Sequence, residues 1–156
     1  MYVKISLVPM TDEMYHDYLK GYNNDIDLYL DKSKYEHYVY SAEGANRYIE
    51  RKKLKKQIPM AILRGEEIIG ELIFKELVPN DSVTIGIALK NANYKDHGYG
   101  TQAERLALDY AFDVLGVKAV LADAILTNTR SQHVLEKVGF VETHRDEMFV
   151  YYQCHI

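Results

Sequence analysis

Apolar and polar positions alternate near the start of the chain and predict a strand over Val3–Val8, which Pro9 ends. Polar capping residues then predict two helices, over Thr11–Lys20 and Ser41–Lys56. The stretch between them, Asn23–Tyr40, is polar and rich in tyrosine, which indicates broken helix and loop. The beginning of the chain therefore predicts one strand and two helices.

Three apolar runs separated by turn residues come next. The runs Pro59–Leu63 and Glu67–Phe74 flank Arg64-Gly65-Glu66, a sequence typical of a β-hairpin. A third run, Val83–Leu89, follows the turn Pro79-Asn80-Asp81. Together the three runs predict an antiparallel β-meander.

The remainder of the chain alternates helical and extended patterns. The predicted elements are a helix from Gly98 to Leu115, a strand over Lys118–Ile125, a helix capped by Asn128 and ending at Val138, and a hairpin of Phe140–His144 with Met148–His155. The apolar face of the first helix comprises Ala103, Leu106, Ala107, Tyr110, Ala111 and Val114. A meander, then βαβα, then a hairpin indicates an α+β fold with a mixed α/β sheet. No repeat or linker divides the 156 residues, so we expect a single domain over 1–156.

Composition and charge exclude several classes of function. The net charge of −4 disfavours nucleic-acid binding, and the one basic run, Arg51–Lys56, lies where a helix should end and face solvent. No apolar run is long enough to cross a membrane, and the first residues lack the pattern of a secretory signal. A single cysteine, Cys154, cannot form an internal disulfide, and its place two residues from the end argues against a catalytic nucleophile. We therefore expect a cytoplasmic protein with no membrane or nucleic-acid partner.

Two glycines at the start of the long helix indicate a binding site for an anion. Gly98 and Gly100 allow backbone to approach a ligand closely, and the free N–H groups of a helix start favour negative charge. The spacing Gly98-x-Gly100-x-x-Ala103, with Asp123 about 20 residues later, also matches a dinucleotide-binding fingerprint. That fingerprint requires a strand leading straight into the first glycine, whereas the polar loop 91–97 intervenes here. The context therefore disfavours a nicotinamide cofactor.

A second motif follows one helix and one strand later. Asn128-x-x-Ser131 precedes Glu136-Lys137-x-Gly139-Phe140, and the earlier motif has the form Lys95-x-x-Gly98-x-Gly100. The two motifs, in this order, resemble the GNAT superfamily of acetyltransferases. The second motif is similar to the version in its ribosomal-protein alanine N-acetyltransferase subgroup. The resemblance covers about Pro59–Phe140.

The resemblance implies a fold and a cosubstrate. The fold is a three-layer one, with helices on both faces of a central, mostly antiparallel sheet that contains a splayed pair of parallel strands. The cosubstrate is acetyl-CoA, and no metal is implied. The residues that the resemblance assigns to the pyrophosphate are Lys95, Asp96, His97, Gly98, Tyr99, Gly100 and Thr101. Those assigned to the pantetheine arm are Asn128 and the backbone of Ile87, Ala88 and Leu89, one N–H of which would polarise the thioester carbonyl. Gly86 is expected to mark a bulge that allows the splay.

The same resemblance suggests catalytic residues. Ser131 is the candidate to protonate or orient the leaving sulfur, since Leu135 stands where much of the superfamily has a tyrosine. Thr84 stands where relatives often carry a glutamate, so Glu71 on the neighbouring strand is the candidate base, directly or through water. The alternative for Glu71 is a carboxylate facing solvent. His97 and His133 are expected on a loop and a helix surface, without a catalytic role.

The function implied is transfer of an acetyl group to a primary amine by direct attack in a ternary complex. The acceptor is a protein amino terminus, a polyamine, an aminoglycoside or another small amine. The alternative is a non-catalytic acyl-CoA-binding module with a degenerate acceptor site, which Thr84 keeps open. Tyrosines cluster at Tyr29, Tyr35, Tyr38 and Tyr40, where they are expected to line a pocket or pack as a helical flap. A tyrosine-rich surface is also compatible with a homodimer.

Overall fold

The computed structural model describes residues 4–156, and within them the chain forms seven strands and four α-helices. The strands are β1 (Ile5–Pro9), β2 (Ile58–Arg64), β3 (Glu67–Val78), β4 (Ser82–Leu89), β5 (Ala119–Ile125), β6 (Val141–Arg145) and β7 (Phe149–His155). The helices are α1 (Asp12–Gly21), α2 (Ala42–Leu54), α3 (Tyr99–Tyr110) and α4 (Thr129–Val138). Val3, where the first strand was expected to begin, lies outside the described residues. No helix among residues 4–156 is long and apolar enough to cross a membrane.

The seven strands form one sheet in the order β1-β2-β3-β4-β5-β7-β6. Neighbouring strands are antiparallel except β4 and β5, which are parallel. Strands β2, β3 and β4 are the predicted meander, and β6 and β7 are the predicted hairpin. The predicted mixed fold, with a mostly antiparallel sheet, is confirmed.

The two parallel strands separate soon after they meet. Their pairing runs only from Ser82 opposite Ala119 to Thr84 opposite Leu121, and the later residues of both strands are unpaired with each other. The expected bulge at Gly86 is wrong, because Gly86 pairs with Ile73 in a register that continues unbroken along this part of β3. The irregularity in this strand pair lies instead between Lys75 and Val78.

Helices cover both faces of the sheet. Adjacent residues of β2 show this, because Ala61 packs in the core with α1 and α2, whereas Ile62 packs in the core with α3 and α4. Since successive side chains of a strand point to opposite faces, burial on both sides explains why β2 and β3 are nearly continuous apolar runs. The sheet is therefore the middle of three layers.

The predicted helix starts are confirmed at three caps. The side chains of Thr11, Ser41 and Asn128 accept hydrogen bonds of 3.1, 3.0 and 3.1 Å from backbone N–H groups in the first turns of α1, α2 and α4. The expected burial of Val114 is wrong, since it is 63% exposed. After Tyr110 the helix widens into a π-helical turn over 111–115, and the changed rotation per residue turns Val114 outward.

Between α1 and α2 the chain contains two short 3₁₀ turns, over Ile26–Leu28 and Lys32–Lys34. The predicted mixture of broken helix and loop is therefore confirmed. Its tyrosines divide between two environments. Tyr35 lines a cavity on the α3 side and its ring lies 5.4 Å from that of Tyr29, whereas Tyr38 and Tyr40 pack against the core under α1 and α2.

Candidate active site

The start of α3 presents backbone to a large cavity. Gly98 is the N-cap residue of this helix and has φ +79°. Because glycine has no side chain, no side-chain hydrogen bond caps the first N–H groups of the helix. A Cβ atom at Gly98 or Gly100 would meet no heavy atom within 4 Å. Both glycines line a cavity of about 470 Å³, so its wall here consists of open backbone with free N–H groups.

Most of the residues predicted to hold a pyrophosphate lie around this cavity. The lining includes Lys95, Asp96, Gly98, Tyr99, Gly100 and Thr101. His97 is the exception, since it is exposed and its ring stacks on that of Tyr99. The Tyr99 side chain points away toward β2, where its hydroxyl accepts a 2.9 Å hydrogen bond from Arg64. His133 is exposed on α4, the helix surface where it was expected.

The cations beside the helix start already have carboxylate partners. Lys95 Nζ lies 2.5 Å from Asp25 Oδ1 and 3.1 Å from Asp27 Oδ2. Arg130 contacts Asp27 at 2.9 Å and Asp96 at 3.2 Å. The hydrogen bond from Lys95 lowers the pKa of Asp27. This network joins the segment before α2 to the loop before α3.

A second cavity, of about 290 Å³, occupies the opening between the separated strands. Gly86 and Ile87 line it from β4, and residues 122–125 line it from β5. The two cavities share Leu28, Ile87, Glu104, Asn128 and Ser131, so they adjoin. A continuous passage therefore leads from the start of α3 into the opening in the sheet.

The free edge of β4 presents selected backbone groups to this passage. The Lys90 N–H donates to the Ile69 carbonyl at 2.7 Å, across the β3–β4 pair. Because hydrogen-bonding direction alternates along a strand, the Ala88 N–H also points toward β3, while those of Ile87 and Leu89 point toward β5. All three residues line the first cavity, but only the N–H groups of Ile87 and Leu89 face the opening.

The start of α4 forms the wall opposite β4. Asn128 is buried, and its side chain accepts the 3.1 Å hydrogen bond from the backbone N–H of Ser131. Both residues line both cavities. Leu135, at the position where much of the superfamily has tyrosine, is buried and lines the opening as well. The structure thus brings Asn128 and Ser131 together with Ile87.

Glu71 lies in a different place from the other candidates. It is 4% exposed, which corrects the expectation of a solvent-facing carboxylate, because α1 and α2 cover this face of the sheet. The Tyr48 hydroxyl donates a 2.6 Å hydrogen bond to Glu71 Oε1. Burial and the nearby Glu71 charge raise the pKa of both Tyr15 and Tyr48. Glu71 lines neither cavity.

The sequence did not predict the positions of two further carboxylates, those of Glu76 and Glu104. Glu76 lies beside the buried Thr84, whose hydroxyl donates to Glu76 Oε2 at 3.5 Å, so a carboxylate stands close to the position of the missing glutamate. Glu104 is 2% exposed and lines both cavities. The sequence did contain a sign that Glu104 is buried, because its helical spacing from the buried Leu108 and Ala111 places it on the apolar face of the helix.

Within residues 4–156, no group of three or more His, Cys, Asp or Glu side chains could hold a metal ion.

Known proteins share this sequence pattern and this fold. The Acetyltransferase (GNAT) domain family matches residues 4–141. A Bacillus subtilis (strain 168) protein, named Uncharacterized N-acetyltransferase YnaD, is 28% identical over 104 residues. That match spans 65% of this chain and 60% of the Bacillus protein.

Two solved acetyltransferases have the same fold. The aminoglycoside acetyltransferase AAC(6')-Ib in complex with coenzyme A superposes with a TM-score of 0.79 at 18% identity, covering 97% of this chain and 95% of that one. The spermidine N-acetyltransferase from Vibrio cholerae, in complex with CoA and spermine, superposes with a TM-score of 0.76 at 15% identity and the same coverage. At these identities the likeness extends to the fold.

Proposed function

This chain belongs to the GNAT acetyltransferase family, and we propose that it transfers an acetyl group from acetyl-CoA to a primary amine. The amine attacks the thioester directly while both substrates are bound, which gains the rate advantage of holding them together. We further propose that it acts as a single domain in the cytoplasm, without a metal ion.

The observation that carries this proposal is the passage between the start of α3 and the opening of the parallel strands. A pyrophosphate suits one end, where free helix N–H groups lie beside glycines whose missing Cβ atoms leave open space. The narrow pantetheine arm of acetyl-CoA suits the other end, between Ile87 of β4 and Ala124 of β5. An acidic protein can bind a polyanion in this way, because backbone groups rather than cationic side chains provide the site.

Several residues along the passage have a proposed role. The N–H groups of residues 96–101, with Lys95 beside them, hold the pyrophosphate. The outward N–H groups of Ile87 and Leu89 bind the arm and polarise the thioester carbonyl, and Asn128 contacts the arm from α4. Ser131 protonates or orients the leaving sulfur.

The proposed acceptor is a small amine. The two solved acetyltransferases described above are named for an aminoglycoside and for spermidine, which are both amines. The net charge of −4 is consistent with a cationic acceptor. Glu71 remains the proposed base, and because it lines neither cavity, a water molecule or the Tyr48 hydroxyl must stand between its carboxylate and the amine.

A free-thiol assay tests the proposal. Acetyl-CoA is incubated with the protein and with spermidine, an aminoglycoside, a peptide with a free amino terminus, or no amine. Amine-dependent thiol release is expected with at least one class, and the acetylated product is identified by its mass. If acetyl-CoA binds tightly but no amine stimulates thiol release, the protein is instead a non-catalytic acyl-CoA-binding module.

A further inference from the structure

The Glu104 side chain is an acid enclosed at the junction of the two cavities. It projects from the second turn of α3 and is 2% exposed. Its Oε2 atom has no hydrogen-bond partner among residues 4–156. Because buried polar atoms in folded proteins almost always have a partner, this oxygen indicates a ligand that contributes the missing one.

The surroundings of Glu104 keep its carboxyl group neutral. Burial raises its pKa to about 8, so the protonated form predominates near neutral pH. The charged groups that line the same two cavities are Asp25, Lys75, Lys95, Asp96, Asp123 and Arg130. Tyr22, Tyr35, Tyr94 and Tyr99 are the tyrosines that line the first cavity, and the Tyr99 hydroxyl is held by Arg64. Four of the six charged groups, Asp25, Lys95, Asp96 and Arg130, belong to the ion-pair network at the mouth, and burial alone accounts for the shift at Glu104.

The position of Glu104 determines which part of a bound acetyl-CoA it would meet. The start of α3 lies on one side of Glu104 and the opening in the sheet lies on the other, since Glu104 lines both cavities. The pantetheine arm, which joins the pyrophosphate to the thioester, must therefore pass this side chain. The arm carries two amide groups, whose carbonyl oxygens are strong hydrogen-bond acceptors.

We propose that Glu104 is a binding residue for the pantetheine arm and donates a hydrogen bond from its carboxyl group to an amide carbonyl oxygen of that arm. This inference rests on the proposed function and adds a side-chain ligand on α3 to the backbone and Asn128 contacts. A neutral acid suits the place, because an ionised carboxylate would face the same carbonyl with no proton to donate and would be costly to bury.

Calorimetric titration of two variants tests the proposal. Glu104→Leu replaces the carboxyl donor with an apolar side chain of similar bulk. Glu104→Gln replaces it with an amide N–H donor that does not ionise. Acetyl-CoA is compared with its phosphorylated ADP half, which lacks the arm. We expect Glu104→Leu to bind acetyl-CoA roughly tenfold more weakly and to bind the ADP half as the natural protein does. Glu104→Gln should stay within about threefold for both ligands.

The pH dependence provides a second readout. Since the protonated form makes the hydrogen bond, acetyl-CoA affinity should be highest below the pKa and should fall as pH rises through it. Between about pH 7 and pH 9.5 the natural protein should lose roughly tenfold in affinity, and Glu104→Gln should lose almost none. Acetyl-CoA has no free thiol, so this change does not arise from the ligand's sulfur.

Several results would overturn the proposal. Unchanged acetyl-CoA affinity in Glu104→Leu would show that Glu104 does not touch the arm. Equal losses for acetyl-CoA and the ADP half would point to a distorted anion site. Glu104→Leu is expected to unfold at a higher temperature, because it removes an unpartnered buried acid. A measured melting temperature no lower than that of the natural protein therefore shows that weaker binding does not come from misfolding. A natural protein that binds the ADP half but not acetyl-CoA would refute the proposed function itself.

Discussion

Lys95 and Asp25 form an ion pair at the mouth of the larger cavity, with Nζ 2.5 Å from Oδ1. Asp27 approaches the same ammonium group at 3.1 Å. Two carboxylates therefore already neutralise the charge of Lys95, the one lysine of the first sequence motif. At Gly100, by contrast, the space beside the backbone is open, since no heavy atom lies within 4 Å of where a Cβ atom would be. Binding of a pyrophosphate should therefore depend more on the glycine than on the lysine.

The first prediction compares these two residues. Gly100→Val places a branched side chain in the space that the pyrophosphate needs, and should weaken acetyl-CoA binding by roughly tenfold to a hundredfold. Lys95→Ala should weaken it by less than about fivefold, because a partly exposed ion pair contributes little. Calorimetric titration measures both. A larger loss in Lys95→Ala would mean that charge, not backbone geometry, holds the phosphates.

Gly100→Ala serves as the control for folding. Gly100 has no left-handed backbone angle, so alanine fits its helical conformation without strain. We expect the alanine variant to melt no earlier than the natural protein and to bind acetyl-CoA more tightly than Gly100→Val does, because its single methyl group takes up less of the open space. Early melting in both Gly100 variants would instead attribute the weaker binding to a damaged helix.

The second prediction concerns the free edge of β4. Because the Ile87 and Leu89 N–H groups point into the opening and that of Ala88 points toward β3, bound acetyl-CoA should slow hydrogen exchange most at Ile87 and Leu89. The Ala88 amide, already bonded within the sheet, should change least. Residue-resolved exchange by NMR measures this. Slowing confined to the start of α3 would contradict the placement of the arm.

Local sequence signals predicted the parts of the site that depend on backbone. Gly98 and Gly100 marked the helix start, and Asn128 marked the cap that positions Ser131, because capping and glycine conformation are properties of a few neighbouring residues. The splay between β4 and β5 followed from the family resemblance, and its structural basis is a pairing that ends at Thr84.

Burial of the acids was not predictable in the same way. Glu71 faces solvent or core depending on whether α1 and α2 cover that side of the sheet, which is a long-range contact that no local pattern encodes. Glu104 lies on an otherwise apolar helix face, but its enclosure depends on where β5 and α4 pack. Glu76 approaches Thr84 across an irregularity in β3, whose position no local pattern in that strand revealed.

The third prediction concerns Ser131. Ser131→Ala should lower the turnover number roughly tenfold to a hundredfold, because water partly replaces the lost hydroxyl, and should leave acetyl-CoA affinity nearly intact. The backbone N–H that donates to Asn128 remains, so the cap of α4 is kept. Steady-state kinetics and calorimetry provide the two measurements.

Thr129→Ala is the matched control for Ser131→Ala. It removes a hydroxyl from the same helical turn at an exposed position, and should leave turnover unchanged. A structural Ser131 would give lower melting temperature, weaker acetyl-CoA binding and normal turnover per folded molecule. That pattern would assign proton transfer to water rather than to the Ser131 hydroxyl.

The last prediction separates two roles for Glu71. Glu71→Gln keeps the shape but removes the negative charge, whereas Tyr48→Phe removes the 2.6 Å hydrogen bond and keeps the charge. If Glu71 acts as the base through water, Glu71→Gln should lower kcat/KM, and the activity should partly recover at higher pH, where more of the amine is already neutral. Tyr48→Phe should then keep the pH profile of the natural protein. If both variants lose stability alike and keep normal kcat/KM per folded molecule, Glu71 is a structural acid that anchors α2 to the sheet. If both variants lose activity and both recover it at higher pH, the Tyr48 hydroxyl relays the proton from the amine to Glu71, taking one proton as it donates its own to the carboxylate.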